Sequence, residues 1–121
     1  MSLHEDPRFT IELPDGYPSA TAGPVRHMAV VKDSAVVAYV WASTGDDAAG
    51  VVARPAAGAA GFNAEVAWIG RLRTAKAEGL GPLQALDRWV GAPEDHRSGS
   101  LDPATEETAP TQAALIALAR A

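Results

Sequence analysis

Four side chains stand out as candidates for acid–base or metal chemistry, and they fall on separate stretches. His27 lies in "VRHMAVV", a β-rich run, and on a strand it shares its side-chain direction with Ala29 and Val31. Asp46 and Asp47 sit side by side in "TGDDAAG", the loop after the next β-rich run, and Glu65 falls in the first turn of a helical pattern that follows Asn63. An imidazole that titrates near neutrality is the natural general base. Carboxylates beside it make either an acid–base constellation or an oxygen-rich cation site. His27, Asp46, Asp47 and Glu65 are therefore the candidate ligand-binding residues. Each also has a structural account: a hydrogen-bonded histidine at a sheet end, solvated turn acids, and an acid complementing a helix dipole.

Other chemistries lack their residues. The chain has no cysteine, which removes disulfides, thiolate zinc sites and a cysteine nucleophile. Ser19, Ser34, Ser43, Ser98 and Ser100 lie in no Gly-x-Ser-x-Gly elbow and precede no lysine at the Ser-x-x-Lys spacing. His4, His27 and His96 do not share the two-histidine spacing of a helical metal site. "GLGPLQ", residues 79–84, follows a helical pattern rather than a strand, so it reads as a corner between helices and not as a phosphate loop. No catalytic residue, metal or cofactor is assigned, and whether the chain is an enzyme stays open.

The net charge is −5, with cations gathered in the centre and acids toward both ends. "WIGRLRTAKAEGLGP", residues 68–82, holds the densest group: on a helix Arg73 and Lys76 share the side of Phe62 and Ile69, while Arg71 faces away. They form no single cluster, and cations in the last turns complement the dipole with their stems laid over a core edge. Together with the acidic balance this argues against nucleic acid as a partner. No run of eighteen apolar residues occurs, and "MSLHEDPRFT" has no apolar core. Neither a membrane span nor a signal peptide is expected, and the expected location is cytoplasmic.

The elements that must position these residues begin with "RFTIEL", where Phe9, Ile11 and Leu13 alternate as in a strand with one wet face. "RHMAVVKDSAVVAYVWAS" reads as a hairpin with strands near 26–32 and 35–42. In the second strand Val36, Ala38 and Val40 point one way and Val37, Tyr39 and Trp41 the other, so both faces are apolar and both need cover. "VVAR" is a short further strand, and "PAAGAAG" a flexible connection. A helix is expected from Asn63 to about residue 78, with Phe62, Val66, Ile69 and Leu72 inward and Trp68 on its shoulder. A second is expected from Pro82 to about residue 90. Residues 93–110 read as mostly loop, and the apolar-all-round "PTQAALIALARA" as a buried terminal helix.

The fold class is thus α+β, one domain over residues 1–121: a small antiparallel sheet of three or four strands with two or three helices packed on it. Alanine supplies much of the 47% hydrophobic content, so a lone protomer buries modest area per residue. That, with the two-sided strand and the terminal helix, points to a non-catalytic binding or protein-interaction module that self-associates, most simply as a homodimer. The alternative is a small enzyme or small-molecule-binding domain with a pocket near the strand ends, around His27 and Asp46/Asp47.

Overall fold

A computed structural model describes residues 15–121, so the strand expected at residues 9–13 and His4 lie outside the described residues. Four strands, β1 (Val25–Lys32), β2 (Ala35–Ser43), β3 (Ala49–Ala53) and β4 (Ser100–Ala109), form one antiparallel sheet in the order β3-β2-β1-β4. β1 and β2 are the expected hairpin. Its two-residue turn places Asp33 and Ser34 at φ 50 and 67, the left-handed pair that matches the twist of two adjacent strands.

β2 is covered on both sides, as its two apolar faces require. One face carries Ala38, Val40 and Ala42 into a core with Met28 and Val30 of β1; the other carries Trp41 into a smaller core with Val25, Ala109 and Leu115. The strand does not alternate throughout. The register slips between Val30 and Val31, so that Val31 opposes Val36 and Val30 opposes Ala38, and the extra residue, Val37, turns into the larger core with Ala38. Strict period two, which sets Val37 with Tyr39 and Trp41, fails at this bulge.

Helices α1 (Ala59–Ala77) and α2 (Pro82–Asp87) cover the first face. α1 starts four residues earlier than expected, because the alanines of "PAAGAAG" are strong helix formers. Pro55–Ala57 make a 3-10 turn, Gly58 swings the chain at φ 57, and the helix follows directly. Its rotation also differs from the sequence reading. The buried residues are Gly61, Ala64, Trp68, Leu72 and Ala75, while Phe62, Val66 and Ile69 face outward. Gly61 explains the rotation: a Cβ there would meet the carbonyls of Arg54 and Val37 at 3.0 and 3.1 Å, so the helix can approach the sheet this closely only with its smallest residue inward. Trp68, fully buried, then fills the centre and donates from Nε1 to the Ser98 carbonyl at 2.8 Å.

Gly79 ends α1 at φ 86, and the Leu80 N–H returns to the Ala75 carbonyl, the expected left-handed cap. α2 begins at Pro82 as expected but ends at Asp87. β4 is a correction to the loop expected at 93–110. It pairs with β1 at both ends, Val31 with Ser100 and Val25 with Ala109. In between, Met28 alone faces Pro103, Ala104, Thr105 and Glu106. That excursion is tied down: Thr105 Oγ1 donates to the Asp102 carbonyl (2.6 Å) and accepts from the Ala29 N–H (2.8 Å), and Arg26 pairs with Glu106. α3 (Gln112–Arg120) lies over the second face, capped by Thr111, with Leu115 and Ala119 buried. Its other apolar side is open, with Leu118 41% exposed.

Candidate functional site

The four candidate residues do not meet. Asp46, held at φ 61 in the β2–β3 turn, accepts the N–H of Leu83 at 2.9 Å and so caps the N-terminal turn of α2. Asp47 accepts the Ser43 hydroxyl at 2.5 Å, and Ser43 Oγ in turn accepts the N–H groups of Asp47 and Ala48. Glu65 reaches from α1 to the outward N–H of Ala53 on β3, at 3.2 Å. His27 is buried in mid-β1 on the second face, edge-on to Tyr39 with ring centres 5.8 Å apart, and opposite Glu107 of β4. Burial pushes its pKa below the ordinary histidine value, and Glu107 pulls part of the way back. Among the described residues no three His, Asp or Glu side chains gather as metal ligands, and Nδ1 of His27 has no hydrogen-bond partner.

The cations of the opening helix have separate places. Lys76 donates to the Gly16 carbonyl at 3.0 Å, and Arg73 lies along Gly16 with its stem over the edge of the core. Arg71, on the opposite side, stacks over the indoles of Trp68 (4.7 Å to the ring centre) and Trp89 (5.5 Å), while Arg88 covers Trp89 from another direction. The two indoles meet edge to face at 5.8 Å. Burial lowers the pKa of Arg71 and nearby Asp95 raises it.

Two features with no assigned structural role remain, and both involve the outward side of α1. The first is the helix face itself. Phe62, Val66 and Ile69 stand 65%, 54% and 38% exposed at successive turns. From Ala59 to Gly70 the only charged residue is Glu65, which is turned toward β3. A solvated helix face normally carries charge, and one that is apolar on the side away from its own core is built to be covered.

The second is a cleft of about 470 Å³ at the β3 edge of the sheet. Ile69, Leu72 and Arg73 of α1 form one wall, and Gln112, Leu115 and Ile116 of α3 the other. The floor is β3 itself, with the indole of Trp41 lying against Gly50, where a Cβ would be 2.9 Å from the ring. The segment Gly16–Ser19 crosses one end: Pro18 accepts the Ala49 N–H, Tyr17 donates to the Leu80 carbonyl, and Gln112 holds the Ser19 carbonyl. Burial and then Asp46 raise the pKa of Tyr17.

No family model matches the chain, and neither a curated protein nor a solved structure is similar to it. Sequence reasoning missed the outward stripe because a helix with apolar groups on both sides has no unique inward face. The one signal that settles its rotation, Gly61, resembles any other glycine in an alanine-rich run.

Proposed function

We propose that the protein is a non-catalytic interaction module that self-associates as a two-fold pair through the outward face of α1. The observation that carries this reading is the exposed apolar stripe of Phe62, Val66 and Ile69, flanked by Lys32, His96 and Arg97. A second copy is an occupant that fits the stripe. Val66 lies midway, so a two-fold axis near it sets the Phe62 end of one helix against the Ile69 end of the other, as an isologous contact demands. Small residues, Ala59, Asn63 and Gly70, run beside the large ones and leave room for them.

Gly70 supports the same reading. It is exposed within a helix, where glycine costs roughly 1 kcal/mol relative to alanine, and among the described residues beyond its own helix backbone nothing comes within 4 Å of where its Cβ would stand. Close approach by another helix is a reason for glycine there. A stripe of three side chains is small beside the roughly 800 Å² per partner of a standard interface, so weak pairing is expected. The net charge of −5 opposes pairing, so salt strengthens it.

Sedimentation equilibrium tests this. Across roughly micromolar to submillimolar concentrations the mass is expected to rise from 12.5 kDa toward twice that value. Val66→Glu is expected to hold it at the monomer, while Val90→Glu, an exposed apolar site elsewhere, leaves pairing intact. Gly70→Ala is expected to stabilise the protomer and weaken the pair. A wild type that stays monomeric throughout, or a Val66→Glu variant that pairs as well as wild type, ends this reading.

A further inference from the structure

The cleft over β3 carries a second inference, argued from its own lining, which shares Ile69 alone with the α1 stripe. Its volume of about 470 Å³ lies within the range of small-molecule sites, and its walls are mainly aliphatic with an indole in the floor. Added peptide strands are a poor fit, because the outer edge of β3, which pairs with no strand among the described residues, is taken at both ends. The Ala49 N–H is taken by Pro18 and the Ala53 N–H by Glu65. By the alternation of an antiparallel ladder only Val51 between them keeps an outward N–H, one donor rather than a row.

The polar character of the cleft is one-sided. Among the lining residues that are described, Arg73 is the single charged group and no carboxylate is present. Among the described residues no acid pairs with its guanidinium. Gln112 is already committed through both its amide oxygen and nitrogen, to the Thr21 N–H and the Ser19 carbonyl. What the site offers a ligand is therefore a cation at one end, a backbone N–H in the middle, and an apolar trough formed by Ile69, Leu115 and Ile116, with the buried indole of Trp41 in its lining. We infer that the cleft binds a small amphipathic carboxylate, its head on Arg73 and its apolar body over β3.

The test uses the full 15N-labelled chain titrated separately with decanoate, decanol and decylammonium. Binding is followed at the indole N–H resonance of Trp41, identified by its loss in Trp41→Phe. Decanoate is expected to shift that resonance in a saturable way and to bind about tenfold more tightly than decanol, as a charge-assisted contact predicts. Decylammonium is expected to bind more weakly than either. Arg73→Gln is expected to remove the preference for decanoate over decanol and Arg73→Lys to keep part of it, while Ile116→Trp, which fills the trough, abolishes all three. Val66→Glu is expected to bind decanoate as wild type does, which separates this site from pairing through α1. Equal binding of the three probes, no shift at Trp41, or an Arg73→Gln variant that still prefers decanoate overturns the assignment.

Discussion

At the scale of single residues, the groups that look most chemical in the sequence have mechanical tasks in the fold. Asp46 is a helix cap supplied from a distant turn: the N–H it accepts belongs to Leu83, 37 positions along the chain. Local spacing marks the acid but not its recipient, and the same holds for Glu65 and Ala53. His27 differs, since its buried imidazole leaves Nδ1 without a partner among the described residues. Its pKa is depressed in the folded state, by burial first, against a partial opposing pull from Glu107. The unfolded chain therefore takes up a proton that the folded one resists. The contribution of the neutral imidazole to stability is complete above the unfolded pKa of about 6.5 and is lost as pH falls from there toward the folded value. The urea midpoint of wild type is expected to drop between about pH 7.5 and about pH 5.5, and that of His27→Gln to drop less.

At the scale of elements, the hairpin, the turn after α1 and the start of α2 were legible because each is written in local chemistry: a polar break of two residues, a glycine in the left-handed region, a proline in a first turn. β4 was not, because it is an outer strand whose burial is confined to its two ends, at Leu101 and Ala109, with charge and proline between them. What secures its start is Gly99, at φ 61, where a Cβ would lie 2.5 Å from the Val31 carbonyl oxygen. Gly99→Ala is expected to cost about 1–3 kcal/mol by urea denaturation, through both backbone strain and the clash. Gly91→Ala is the fitting comparison, since Gly91 also has a positive φ but open space around its Cβ position. It is expected to cost clearly less, and equal losses at the two sites would mean that the approach to Val31 does not matter.

At the scale of the molecule, the need to cover β2 twice was visible in its sequence, and α1 and α2 on one side with α3 on the other meet it. The direction of the remaining apolar surface was not visible, because it depends on how a single helix is rotated over the sheet. If that surface pairs with its own copy, thermal stability is linked to protein concentration by mass action. The unfolding midpoint is expected to rise by a few degrees per tenfold increase in concentration for wild type and to stay flat for Val66→Glu. A flat wild-type profile would count against pairing.

The excursion of Pro103–Glu106 bears on how such a molecule avoids runaway aggregation. With a proline and several charges on the β4 rim, and with Pro18 and Glu65 stoppering the opposite rim, neither margin of the sheet as formed by the described residues offers a template onto which further chains can stack. If α1 pairs as proposed, cohesion is left to a helix surface that a single neighbour exhausts, and growth is then expected to stop at a finite particle instead of running on into a fibre.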